Sequence, residues 1–90
     1  MAASIEYKAS VARDLRKLGH AAAVRVLLKV ERMLASEGHQ GEALSGEFAG
    51  LYKLRVGDYR VIYARTEKGF LVLRIGHRED IYRKGPPEVN

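Results

Sequence analysis

Four cations, Lys53, Arg55, Arg60 and Arg78, are the residues of this chain best equipped to act on a phosphate. Ammonium and guanidinium groups hold phosphate oxygens by charge-assisted hydrogen bonds, and the planar guanidinium does so in bidentate fashion. Gathered in one pocket, the same groups stabilise charge building on the equatorial oxygens during phosphoryl transfer. Two groups able to move a proton, His77 and Tyr82, lie near them. The chain offers no paired acids to hold catalytic metal ions, so any phosphodiester cleavage has to be metal-free. RNA allows this, because its own 2′-hydroxyl can serve as nucleophile. DNA has none.

Residues 50–65, GLYKLRVGDYRVIYAR, must position most of that set. Two alternating runs flank Val56-Gly57-Asp58-Tyr59, and Gly at the first central position of a two-residue loop suits a type II′ turn. Val56 then faces Tyr59, Arg55 faces Arg60, Leu54 faces Val61, Lys53 faces Ile62 and Tyr52 faces Tyr63. Side chains alternate between the faces of a strand. One face therefore holds Tyr52, Leu54, Val56, Tyr59, Val61 and Tyr63 and suits a core. The other holds Lys53, Arg55 and Arg60. Arginines opposite each other, with a lysine diagonal to them, repel rather than stabilise a sheet. Solvent with counterions, or a bound polyanion, relieves the repulsion.

A third strand follows. A three-residue loop of Glu67, Lys68 and Gly69 sets Thr66 opposite Phe70, so that Leu71, Leu73 and Ile75 join the core face. Val72, Arg74, Gly76 and Arg78 then share the cationic face. Three strands thus bring up to five cations together. His77 points by alternation to the face opposite Arg78, where a structural hydrogen-bonding role competes with catalysis. Residues 79–84, EDIYRK, form a short C-terminal helical turn carrying Tyr82, for which packing is the competing role. Arg74, His77, Arg83 and Lys84 are the further candidates for RNA contact.

Upstream, residues 4–7 alternate as a first strand. Val11, Leu15 and Leu18 recur at helical spacing over residues 8–18, and Gly19 is a helix stop. A second helix spans residues 20–36, with Val24, Leu27, Leu28, Glu31, Leu34 and Ala35 on its inner stripe and Gly38 ending it. So short a connection makes an antiparallel helix hairpin that covers one face of the sheet. Residues 38–50 form a loop that holds His39 and is pinned to the core by Leu44 and Phe48.

Ninety residues make a single domain, 1–90, with a tail at 85–90 expected to fray. The chain is 47% hydrophobic and 30% charged, and no apolar run reaches the roughly 18 residues of a membrane span. There is no secretory signal pattern, which places the protein in the cytoplasm. The absence of cysteine excludes disulfides, thiolate metal sites and a cysteine nucleophile. The three histidines lack metal-ligand spacing, and no cofactor is implied. A formal charge of +5 on so short a chain favours nucleic acid or an acidic protein as partner.

The order of the two-helix start, L-x-G at residues 44–46, LYKLRVGDYRVIY and VLRIGHREDIYR resembles the RelE/ParE toxin superfamily of type II toxin–antitoxin systems. The resemblance runs from about residue 5 to residue 83. It implies an α+β, RelE-like fold: an N-terminal two-helix hairpin packed on a mostly antiparallel four-stranded sheet, with a short C-terminal helical turn. It also implies a ribosome-dependent endoribonuclease that cleaves mRNA in the A site by 2′-hydroxyl attack. Lys53, Arg55, Arg60, Arg78 and Tyr82 match the catalytic positions. Arg60 and Arg78 would stabilise phosphate charge, Lys53 and Arg55 would hold the backbone and assist proton transfer, and Tyr82 would orient or stack on a base. Arg55 stands where some relatives carry lysine, and a guanidinium is a poor general base. An acidic cognate antitoxin is the implied protein partner. The alternatives are a ParE-like, non-enzymatic inhibitor of DNA gyrase and an inactive relative that only binds an antitoxin or nucleic acid.

Overall fold

The computed structural model describes residues 4–35 and 41–89. Strand β1 (Ser4–Tyr7) leads into helix α1 (Val11–Leu18) and helix α2 (His20–Ala35). A two-residue strand β2 (Glu42–Ala43) and a 3-10 turn (Gly46–Phe48) come before β3 (Tyr52–Val56), β4 (Tyr59–Arg65) and β5 (Gly69–His77). Gly38, His39 and the expected end of the second helix at Ser36 lie outside the described residues.

The β3–β4 hairpin has the register that its turn predicts, with Val56 opposite Tyr59 and Arg55 opposite Arg60. Gly57 takes φ of 59°, and no described residue other than glycine has positive φ. That combination fits a type II′ turn and excludes type I′, which needs positive φ at both central residues.

The sheet has five strands in the order β1-β5-β4-β3-β2, rather than four. The added strand is β2, whose Glu42 and Ala43 pair with Lys53 and Tyr52. Two residues are too few to show alternation. β1 pairs with β5 in parallel, and the other neighbours are antiparallel.

The β4–β5 register departs from the expected one near its turn and agrees with it further on. Thr66 and Gly69 exchange two backbone hydrogen bonds, 2.8 and 3.2 Å, so the loop is tighter by one residue and Arg65 faces Phe70. A register shift between Ile62 and Tyr63 then leaves Leu73 unpaired and sets Ile62 opposite Arg74 and Arg60 opposite Gly76. Such a bulge reverses the facing of everything on its turn side. Phe70 and Val72 therefore join the core beneath the helices, while Leu71 and Leu73 pack on the other side. The expected facings of Val72, Leu71 and Leu73 are corrected accordingly; those of Ile75, Arg74 and Gly76 hold.

The main core lies between helices and sheet and includes Val11, Val26, Val30, Leu34, Leu54, Val61, Tyr63 and Val72. Helix α2 is rotated from the expected stripe: it buries Val26, Val30 and Leu34, while Val24, Leu28, Glu31 and Ala35 are exposed. The expected stripe required a charged residue inside. Turning Glu31 outward avoids that cost and lets its carboxylate accept a hydrogen bond from the Tyr7 hydroxyl at 3.3 Å. A second cluster occupies the opposite sheet face: Phe48, Leu51, Ile62, Ala64, Leu73 and Ile81, with Leu44 packed against it. After β5 the chain makes successive turns over residues 78–84 instead of a helical segment. Further on, the Glu88 carbonyl accepts a hydrogen bond from Lys8 Nζ at 2.6 Å.

Gly69 carries the β1–β5 contact. Its φ is 152°, and a Cβ there would collide with the backbone of Ser4. Gly69→Ala is expected to destabilise the fold by more than about 2 kcal/mol, a strained backbone plus a steric clash. Gly57→Ala, with open space around it, should cost only about 1 kcal/mol. Urea unfolding of the two variants measures the difference.

Two tyrosines hold their protons unusually long. Burial pushes Tyr63 up to about 12, helped by neighbouring Tyr52 and opposed by Arg65 and the Gly41 backbone. Burial and the Glu31 carboxylate likewise raise Tyr7 to about 12. In the unfolded chain both ionise near 10, so between pH 10 and 12 the folded state binds more protons. Stability present below pH 10 should therefore fall as pH rises through that window. Urea midpoints at pH 9 and pH 11 check this, and Tyr7→Phe with Tyr63→Phe should flatten the dependence.

Candidate functional site

The register arranges the face away from the helices in rows across the strands. Nearest the β3–β4 turn, Arg55 of β3 stands opposite Arg60 of β4, which stands opposite Gly76 of β5. The next row reads Glu42, Lys53, Ile62, Arg74 across β2 to β5. Further from the turn the same face becomes apolar, with Ala64 and Leu73 roofed by Phe48 and Ile81. The face is cationic at one end and greasy at the other.

Each cation is held by a nearby acceptor. The Glu42 carboxylate lies 4.0 Å from Lys53 Nζ and 3.6 Å from Arg55 Nε, both of β3. Arg60 folds its Nη1 back onto its own turn, donating to the carbonyls of Gly57 and Tyr59 at 2.9 Å each. A guanidinium has five N–H donors, so others stay available for a ligand. Arg78 continues the ladder: its backbone N–H donates to the Asp58 carbonyl at 2.8 Å, and its Nε lies 3.9 Å from the Asp58 carboxylate. The Arg55–Glu42 and Arg78–Asp58 pairs are exposed and contribute little to stability. Their effect is on placement.

Tyr82 sits at the apolar end, its ring edge-on to Phe48 with centroids 5.2 Å apart, and is otherwise exposed. The other four sequence candidates are dispersed. Arg74 is on the face, but its Nη1 donates to the carbonyls of Ile81 and Gly85 at 2.8 Å each, clamping the C-terminal turns to the sheet. His77 lies on the opposite face, ring edge towards Tyr59, with Nδ1 accepting the Glu79 N–H at 3.2 Å. Arg83 lies beside Asp80 at 3.5 Å, and Lys84 is exposed. Sequence reasoning missed Glu42 and Asp58, the two carboxylates of the site. Glu42 was hidden in a loop whose pairing with β3 has no periodic signal. Asp58 was read only as a turn residue.

A sheet with this topology and this cationic end defines a class of protein. The family model for the ParE toxin of type II toxin–antitoxin systems, parDE, matches residues 5–82. The chain belongs to that family, within the RelE/ParE toxin superfamily. It is 35% identical to toxin RelE of Mycobacterium tuberculosis over 81 residues, 87% of this chain and 84% of the relative. Identity to toxin RelG of the same organism is 31% over 84 residues, 90% of this chain and 97% of the relative. Among solved structures, the M. tuberculosis RelBE2 toxin–antitoxin complex superimposes with a TM-score of 0.77 at 28% identity, covering 89% of this chain and 95% of that one. The protein is a type II toxin of RelE type.

The Arg74 clamp yields a direct test. Arg74→Gln removes a charged donor from two partly buried carbonyls, at a cost of about 2 kcal/mol or more. Hydrogen exchange should accelerate through the turns over residues 78–84 well before the hairpin. Equal acceleration everywhere would mean that Arg74 supports the whole sheet instead.

Proposed function

We propose that this toxin is an endoribonuclease that cleaves mRNA in the ribosomal A site, without metal, through attack of the 2′-hydroxyl on the adjacent phosphate. The gathering of Lys53, Arg55, Arg60 and Arg78 at one end of one sheet face carries this reading. Arg60 and Arg78 bind the non-bridging oxygens and stabilise their growing charge. The 2′-oxygen bonds to phosphorus, the bond from phosphorus to the 5′-oxygen breaks, and the products end in a cyclic phosphate and a 5′-hydroxyl. The proton leaving the 2′-hydroxyl needs an acceptor. Arginine cannot supply one, since it stays protonated in proteins. Glu42 can, and its place between Lys53 and Arg55 makes it our choice of general base. Lys53 delivers a proton to the departing 5′-oxygen. Tyr82, braced by Phe48, offers its ring to a base.

The partner that silences such an enzyme is an acidic cognate antitoxin, matching the +5 charge of this chain. A relative of the same fold was solved in a toxin–antitoxin complex. The protein acts in the cytoplasm, where ribosomes are. A second reading is favoured by one observation, the description of the matching family model as a ParE toxin. On that reading the chain inhibits DNA gyrase and cuts nothing.

Primer extension on a defined mRNA, with and without programmed ribosomes, separates the two. Cuts that appear only with ribosomes are expected. Arg60→Ala and Arg78→Ala should each abolish them with the fold intact. Glu42→Gln should lower the single-turnover rate by about 10²–10⁴, the usual contribution of a general base. Intact mRNA together with loss of gyrase supercoiling would move the protein to the second reading.

A further inference from the structure

One cleft outside the cationic sheet face carries chemistry of its own. β1 ends at Tyr7, opposite Val72, so the later part of β5 has no strand on its outer side. Helix α1 closes some of that edge, the Asp14 carboxylate accepting the Ile75 N–H at 3.1 Å. Between the end of α1 and the turns after β5 there remains a cleft of about 620 Å³. Small-ligand sites span roughly 300–1,000 Å³, so a nucleotide fits.

Two features of the cleft select its ligand. Tyr59 and His77 both line the cleft, their rings edge to face with centroids 6.0 Å apart. Lys17 from α1 and Lys84 from the C-terminal turns line it as well. The cleft's acids are engaged elsewhere, Asp14 with Ile75 and Asp80 with Arg83. Among the described residues neither lysine makes an ion pair. Unneutralised ammonium groups beside aromatic rings are how single-stranded nucleic acid is held, phosphate on cation and base on ring.

Gly76 fixes where the cleft stands relative to the cationic face. It lines the cleft and also sits opposite Arg60, and adjacent strands are only about 4.8 Å apart. Having no side chain, it leaves between the two places a sill whose surface is the Ile81 side chain, with Cδ1 3.4 Å from where a Cβ would stand. A chain whose cleaved phosphate rests on Arg60 and Arg78 can pass over that sill.

We infer that the cleft at the β5 edge binds a nucleoside monophosphate unit, base against Tyr59 and His77 and phosphate between Lys17 and Lys84, supplied by the RNA flanking the cleaved step. This rests on the endoribonuclease reading and adds a subsite to it. The site reads the substrate on two surfaces, the sheet face for the reacting phosphate and the edge for a neighbour.

Amide NMR spectra of the full chain, titrated with three probes, test this. The probes are a dinucleotide and a hexanucleotide of RNA, both 2′-O-methylated so that no nucleophile remains, and free nucleoside monophosphates. The dinucleotide should shift Arg55, Arg60 and Arg78 alone. The hexanucleotide should also shift Gly76, His77 and Lys84 and bind about tenfold tighter, as one stacked base warrants. Lys17→Ala should remove most of that gain and lower the slope of log affinity against log salt by about one. A hexanucleotide that moves the sheet face and leaves the cleft still overturns the inference while the endoribonuclease reading stands. If neither RNA moves the sheet face, that reading fails and the inference falls with it. Free nucleotides filling the cleft as tightly as the hexanucleotide, or an acidic peptide filling it in place of RNA, would likewise overturn the assignment.

Discussion

Arg55 and Arg60 face each other across the β3–β4 hairpin, and the turn at Gly57 and Asp58 leaves them no other register. Much of the cationic site follows from holding this like-charged pair together. Glu42 leans in from the sheet edge towards Arg55 and Lys53. The carbonyls of the turn take up one nitrogen of Arg60, and the Asp58 side chain faces Arg78. The same short turn therefore sets the spacing of Arg60 from Arg55 and the direction of Arg78. Rigid main chain, not long flexible side chains, determines where positive charge is available.

What supplies the stability is spread over both sides of the sheet. Each well-buried aliphatic or aromatic side chain contributes about 1.5–3 kcal/mol, whereas an opposed like-charge pair costs roughly 0.2–1 kcal/mol. The six-residue cluster of Phe48, Leu51, Ile62, Ala64, Leu73 and Ile81 on the cationic side thus outweighs the repulsion at its border. The bulge beside Ile62 makes this arrangement possible. It lets one strand feed Val72 to the helices and Leu73 to the second cluster, and still deliver Arg74 and Gly76 to the cationic end.

The hairpin and the facing of Lys53, Arg55 and Arg60 were legible because a two-residue turn fixes register locally, and register fixes facing. Gly19 and the α1 stripe were legible for the same local reason. The β4–β5 bulge was not, since Phe70, Leu71, Val72 and Leu73 are all apolar and either facing buries the same kind of side chain. Helix α2 has apolar residues on two stripes, and periodicity does not choose between them. Glu31 was the discriminating residue, because a stripe with a charge in it competed with one free of charge. The β1–β5 pairing and β2 depend on partners distant in sequence. Arg74 looked like a surface cation because the carbonyls that capture it, at Ile81 and Gly85, belong to turns with no sequence signature.

The parallel pairing of β1 with β5 also orders events during synthesis. The first strand to be made waits for the last, and long-range pairings of this kind form late in folding. Arg78 and Tyr82 follow β5 in the chain, so the cationic end is incomplete until the sheet can close. A nascent chain that has not yet delivered β5 thus has an unpaired β1 and lacks Arg78 from its cationic end.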